Sequence, residues 1–364
     1  MLPFDSIINN DSVAFLERYL NNTSPTGYEW RGQQLWLDYI KPYIDTYQVD
    51  NYGTAYCIIN PDAPYRVVIE AHADEISWYV NYITEDGYIY IIRNGGSDHM
   101  IAPSKRVQIH TRDGRIVPGV FGWPAIHLRQ DESSFRTDLH NLFIDVGCKK
   151  REEVEALGIH VGCVVTYPDP FMELNNRYFV GRALDNRLGG FVIAQVARLL
   201  KENNIKLPYG LYIVNSVQEE VGLRGAQMIV ETIRPHVAIV TDETHDTTTP
   251  MLSRTRHGDY ACGKGPVLSY APAIQNKLLD LMVNTAQTND IPFQREANYR
   301  STGTDADAFA FATGGVVTGL LSLPLKYMHT TVEMADKEDV ANTIRLYYHT
   351  LQNIESGHDF KYIK

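Results

Sequence analysis

The sequence predicts an α/β protein in which a mixed, mostly parallel sheet, sandwiched by helices, is interrupted by a small β-rich insertion. Three observations carry this reading. After "YPDP" (167–170), short continuous apolar runs alternate with amphipathic helices, the pattern of strands buried on both faces of a parallel sheet. Between Ser77 and about Thr166 the texture changes to period-two alternation broken by turn dipeptides, the mark of antiparallel hairpins. The run "RVVIEAH" (66–72) is a strand with no neighbouring strand in the helical segment before it. It therefore belongs to the later sheet, and the β-rich region is an insertion. The expected division is 1–74 with 167–364 for the α/β part and 75–166 for the insertion.

The elements follow in order. "DSVAFLERYL" (11–20) and "RGQQLWLDYIKPY" (31–43) carry apolar residues at helical spacing, so the first 50 residues read as helices. Asp86-Gly87 and Asp113-Gly114, flanked by alternating apolar residues, predict two hairpins in the insertion. Beyond it come the helix 186–202, the strand "GLYIVNSV" (210–217) and the helix 223–233. The strand "HVAIVT" (236–241), a helix near 274–287 and the strand "GVVTGLLSLP" (315–324) complete the alternation. A last helix begins at Lys337, with Asp336 as its N-cap and Val340, Ile344, Tyr348 and Leu351 on one stripe.

Composition narrows the function. A net charge of −11 over 364 residues offers no electrostatic footprint for a phosphate backbone or an anionic lipid surface, so no nucleic-acid or membrane partner is expected. "MLPFDSIINNDSV" lacks a basic n-region and a continuous apolar h-region, and no run approaches the roughly 20 apolar residues that span a bilayer. The expectation is a cytoplasmic chain. Cys57, Cys148, Cys163 and Cys262 form no C-x-x-C pair, which argues against a thiolate zinc site or a disulfide framework.

Several strand ends carry the same chemistry. "RVVIEAH" ends in His72, "GLYIVNSVQEE" in Glu219 and Glu220, "HVAIVTD" in Asp242, and the run from Gly315 leads to His329. Ligands of open α/β sheets bind at the carboxyl ends of the strands. Asp185, just before a helix, would serve as an N-cap if it stood alone. Gathered at one sheet edge, these carboxylates repel one another unless cations neutralise them. Imidazole and carboxylate without thiolate suit zinc, cobalt or manganese. Five such residues, His72, Asp185, Glu220, Asp242 and His329, exceed the three protein ligands of a single catalytic zinc. They predict two divalent ions about 3.5–4 Å apart, with Asp185 as the bridge. Asp74, two residues after His72, is placed to accept the other ring N–H of that histidine.

The motifs "AHADEISWYV", "GRALDNRLGG", "VQEEVGLRGA", "STGTDADAFA" and "ATGGVVTGLLSLPLKYMHTTVEM" resemble, in number, order and spacing, those of the M42 metallo-aminopeptidases, the glutamyl and deblocking aminopeptidase group. The resemblance spans nearly the whole chain. It implies a di-zinc peptidase-like α/β fold with an inserted β-barrel or PDZ-like domain, and assembly from dimers to hollow twelve-subunit tetrahedra. It also implies removal of N-terminal residues from short peptides. Metal ligands implied by the matching motifs are His72, Asp185 and Asp242 for one ion and Asp185, Glu220 and His329 for the other, with Glu219 left free as general base and Asp74 as its catalytic companion behind His72.

Two stretches depart from the family pattern. "TDETHDTTTP" stands where "VDVTH" is common, placing Glu243 beside Asp242; "YRSTGTDAD" stands where "GGTDA" is usual, around Thr304 and Asp305. Two competing readings are a glycoside hydrolase, a label some relatives carry, and a catalytically silent peptide-binding homologue. Glycosidases work with a carboxylate pair and usually no metal, which the two histidines disfavour. A silent homologue would have lost a ligand, and none is lost.

Overall fold

A computed structural model describes residues 2–129 and 136–363. Strands β1 (Thr46–Val49), β2 (Ala55–Ile59) and β3 (Arg66–His72) come first, followed by β4 (Ser77–Ile83), β5 (Ile89–Asn94), β6 (Arg106–His110), β7 (Ile116–Phe121), β8 (Phe143–Asp145) and β9 (Val164–Thr166). After β10 (Met172–Leu174) and β11 (Tyr178–Gly181) the chain makes β12 (Gly210–Ser216), β13 (Val237–His245), β14 (Val267–Tyr270), β15 (Gln294–Ala297), β16 (Val317–Leu325) and β17 (Glu333–Asp336).

The central sheet has eight strands in the order β1-β2-β12-β3-β13-β16-β14-β15. Its middle is parallel: β3 pairs with β12 and β13, and β13 with β16. Antiparallel pairs flank that middle, β1 with β2, β2 with β12, and β14 with β16. Helices cover both faces, so Val67, Val68, Ile69, Val237, Ala238, Ile239 and Val240 are wholly buried. This two-sided burial is why these strands read as unbroken apolar runs. The helix Leu184–Glu202 lies against β3 and β13 and is itself covered by helices Asn10–Asn21, Trp30–Ile40 and Lys337–Asn353. Asp336 caps the last of these, accepting from the Glu338 N–H at 3.0 Å.

Two of the expected segments differ in the structure. The first 50 residues are not all helical: Pro42 lies in a 3-10 turn, Lys41–Tyr43, after which the chain enters the β1-β2 hairpin. Proline lacks the N–H a continuing helix needs, and β1 is exposed along its length, so it shows none of the alternation that marks a half-buried strand. Strand β13 also runs on to His245, which places Asp242 inside the sheet and not at its end.

Strands β4 to β9 close into a barrel in the order β4-β5-β8-β7-β6-β9. The two hairpins expected from Asp-Gly turns form as β4-β5 and β6-β7, with Gly87 and Gly114 at φ of 83° and 85°, conformations that cost glycine nothing. Trp78, Val80, Ile91, Val107, Ile109, Phe121, Ile144 and Val165 fill a core separate from that of the central sheet. The chain leaves β3 and returns from β9 at one place: Glu75, Ile76 and Tyr167 line the same small cavity. There Glu75 is buried against Arg182 and Arg187.

Because each part has its own sheet and core, excision of 77–166 with a short linker, retaining Glu75, is expected to leave a chain that melts cooperatively with α/β circular dichroism. A product without a cooperative melt would mean that the barrel is integral to the fold.

Candidate metal centre

The parallel register aligns Ser216 at the end of β12 with His72 at the end of β3. Two residues after Ser216 the chain turns through Gln218, whose φ is 58°, and presents Glu219 and Glu220 over the same edge. Asp74 holds this turn in place. It is fully buried and accepts from the Glu219 N–H at 3.0 Å, the Glu220 N–H at 3.2 Å and the Thr26 hydroxyl at 2.8 Å, while its Oδ1 lies 3.3 Å from His72 Nδ1. One carboxylate thus fixes the loop carrying two further carboxylates and lies beside an imidazole.

Asp185 sits at the entry to the helix Leu184–Glu202, joined to Asn186 by a cis peptide bond. Its Oδ1 is 3.2 Å from His72 Nε2 and its Oδ2 is 3.3 Å from His329 Nε2. The remaining acids surround these two imidazoles. Glu219 and Asp242 place an oxygen 3.8 and 3.9 Å from His72 Nε2, and Glu220 one 3.5 Å from His329 Nε2. All seven residues singled out in the sequence therefore converge on one edge.

The electrostatics are those of a site short of positive charge. Burial pushes the Glu219 carboxyl up to about 11 and that of Glu220 to about 8, with neighbouring carboxylates adding to the shift. Burial raises Asp242 well above the carboxylate range. Burial would lower His329, yet Asp185 and Glu220 lift it to about 10. Burial opposes ionisation of Asp185 too, but the two imidazoles hold it below its usual range. Single ligand atoms of His72, Asp185 and Glu220 lie within 4.8 Å of one another, as do those of Asp185, Asp242 and Glu243. An imidazole and carboxylate set without thiolate fits zinc, cobalt or manganese.

Glu333, Gly95 and Gly96 join the site without having been legible in the sequence, and Thr304 and Asp305, already noted there, find their places. Glu333 is buried and accepts from the His329 N–H at 2.7 Å and the Asp185 N–H at 3.2 Å, fixing the backbone at two of the central residues. The only signal was its place four residues after His329 in "HTTVEM". Gly95 and Gly96, at the end of β5 in the barrel, pack against Glu220 and His329. Thr304 lines the cleft and caps the short helix Asp305–Ala310, accepting from the Ala306 N–H at 3.2 Å. Asp305 instead turns inward, taking the Ser216 hydroxyl at 2.7 Å beside the buried Glu70.

A Cβ at Gly96 would lie 2.7 Å from two ring atoms of His329, and no such contact is tolerated without movement of the imidazole. Gly96→Ala is expected to weaken metal binding by about 10–100-fold, the usual effect of disturbing a ligand's support, with the melting temperature of the metal-free protein little changed. Metal titration beside a thermal melt checks this.

The acids open onto a cleft of about 1020 Å³ whose walls include Thr244, Tyr260, Glu296 and Asn298. Known proteins resemble this chain along nearly its whole length. The lysyl aminopeptidase of Pyrococcus furiosus is 33% identical over 336 residues, covering 91% of this chain and 94% of the relative. A TET aminopeptidase structure from a marine sediment Thaumarchaeota archaeon superposes with a TM-score of 0.89 at 28% identity, covering 95% of this chain and 98% of that one. The Pyrococcus horikoshii TET1 peptidase, whose structure is described as assembling into a tetrahedron or a large octahedral shell, gives 0.81 at 26% identity, covering 93% and 98%. An endoglucanase structure from Thermotoga maritima gives 0.73 at 26% identity, covering 94% and 97%. With the family model for M42 glutamyl aminopeptidase matching residues 53–346, on top of this fold and this cluster of imidazoles and carboxylates, the chain belongs to the M42 family of peptide-bond hydrolases.

Proposed function

We propose that this protein is an aminopeptidase that removes N-terminal residues from short peptides with two divalent ions, zinc in the first instance and cobalt or manganese as alternatives. The observation that carries the two-ion reading is the Asp185 carboxylate, with one oxygen toward His72 and the other toward His329. His72, Asp185 and Asp242 would hold one ion, and Asp185, Glu220 and His329 the other. When bound, such a pair supplies Lewis acidity for the scissile carbonyl and lowers the pKa of water.

The protein's own residues do the rest. Glu219 is an acid left outside both ligand sets, within 3.8 Å of His72 Nε2 and facing the cleft. It takes the proton of the attacking water and returns it to the leaving amine, a transfer worth about 10²–10⁴-fold. Burial, which makes its carboxylate strongly basic without cations, becomes useful once ions of opposite charge bring its basicity back toward the working range. Asp74 keeps His72 in the tautomer whose Nε2 faces the site, and Glu333 keeps the Asp185 and His329 backbones in register.

For the assembled form we propose a homo-oligomer, from dimer to dodecamer, built through the inserted barrel, by analogy with the described assembly of the Pyrococcus horikoshii TET1 peptidase. No helix among the described residues is long and apolar enough to cross a membrane; a cytoplasmic location is part of the same proposal. The endoglucanase reading is disfavoured because the carboxylates here are interleaved with imidazoles, a metal arrangement and not a bare acid pair. The deciding experiment is metal analysis combined with a panel of chromogenic aminoacyl substrates, with and without chelator. Two ions per chain and chelator-sensitive release of the chromophore are expected. Full activity with one tightly held ion, or none, would overturn the proposal.

A further inference from the structure

Glu243 has no place in the mechanism above. It is 7% exposed, and neither of its carboxylate oxygens has a hydrogen-bond partner among the described residues. No lysine, arginine or histidine forms an ion pair with it among the described residues; Asp185, Asp242 and Glu333 repel it, and the His72 imidazole attracts it from beyond ion-pair distance. A buried carboxylate in this position has three ways to be stable: a basic partner, a proton donated onward to an acceptor, or a cation. The first two are missing here. The third is at hand, because a Glu243 oxygen lies within 4.8 Å of oxygens of both Asp185 and Asp242, on the wall of the cleft.

We propose that Glu243 is a further ligand of the ion held by His72, Asp185 and Asp242, an inference that rests on the two-ion reading. The backbone N–H of Glu243 donates to Asp242 Oδ1 at 2.8 Å, which steers that carboxylate while the Glu243 side chain adds its own oxygen. The two ion sites are then unequal. One has a single imidazole and three carboxylates; the other has a single imidazole and two. Oxygen-rich sets suit manganese, whereas imidazole-rich sets suit zinc, so the first site takes manganese more readily than the second.

The test is metal titration of chelator-stripped full-length protein with Mn²⁺ alone and Zn²⁺ alone, for the wild type, Glu243→Gln and Glu243→Val. Calorimetry reads the affinities, and the Mn²⁺ spin-resonance signal counts bound ions. In both variants one of the two Mn²⁺ constants is expected to weaken by about 10–100-fold or more, the other to stay within twofold, and Zn²⁺ to lose less than Mn²⁺. Metal-free Glu243→Val is expected to melt above metal-free wild type, since a buried carboxyl with no hydrogen-bond partner is gone, and to gain less from added Mn²⁺. Two ions in the wild type with unchanged Mn²⁺ constants in both variants would overturn the role of Glu243 alone. Fewer than two ions in the wild type would overturn the two-ion reading and this inference together. Should Glu243→Gln fold poorly, the apolar Val variant decides, because it leaves no polar group unpaired.

Discussion

Glu219→Gln is expected to lower kcat by about 10²–10⁴-fold with both ions still in place, because the change removes proton transfer and leaves the ligand set whole. The amide nearly preserves the shape of the side chain, and the contacts that hold this turn come from backbone: the Glu219 N–H to Asp74, and the Gly222 and Leu223 N–H groups to the Glu219 carbonyl. Neither involves the carboxylate. The same substitution one residue on has a different consequence. Glu220 points to His329, so Glu220→Gln is expected to weaken or lose one ion. Metal content by plasma emission, measured beside kcat on an unblocked aminoacyl substrate, separates the two. Loss of metal in Glu219→Gln with retention in Glu220→Gln would mean that the roles are exchanged.

Asp185→Asn is expected to weaken both ions at once, since one carboxylate serves both sides of the site. The loss should exceed the roughly 10–100-fold that removal of a supporting group outside the ligand set costs, and activity should fall with it. Asp74→Ala provides the internal comparison, because Asp74 touches His72 and the 219–220 turn without lying between the imidazoles. Equilibrium dialysis at several metal concentrations distinguishes them. If Asp185→Asn released a single ion and left the affinity of the other unchanged, the bridging role would be wrong.

The residues that bring chemistry to the sheet edge were legible because chemistry and periodicity coincide there. His72 closes an apolar strand, Glu219 and Glu220 follow another, and His329 lies past a third. A polar group after an unbroken apolar run has few places to go except the end of a buried parallel strand. What escaped was whatever depends on distant chain meeting. The backbone of His329 needs Glu333, and its imidazole leaves room only for glycine at position 96 of the barrel; neither need has a local periodic signature. Strand β1 is hidden for the opposite reason, since exposed on all its residues it offers no alternation to detect. The turn carrying Glu219 and Glu220 could be placed, but not the buried Asp74 contacts that hold it, because a carboxylate accepting two backbone N–H groups looks in sequence like any solvated aspartate. Asp242 lies on the expected strand but deeper than the sequence suggests: its neighbours Glu243 and Thr244 are polar, and polar residues usually announce a strand's end, whereas here the strand continues through them into the cleft wall.

The interior position of β3, between β12 and β13, also sets an order of events during synthesis. Both its partners are encoded on the far side of the barrel, so as the chain emerges Val67, Val68 and Ile69 have nothing to pair with. The barrel, by contrast, has every strand it needs once Thr166 is made. Domains that are complete close first on the growing chain, and the barrel therefore matures while β3 waits as an apolar strand with two open edges, the kind of segment that recruits the wrong partner. His329 arrives almost last. The nascent protein thus needs protection for this one short strand until β12 and β13 have emerged, well before His329 does.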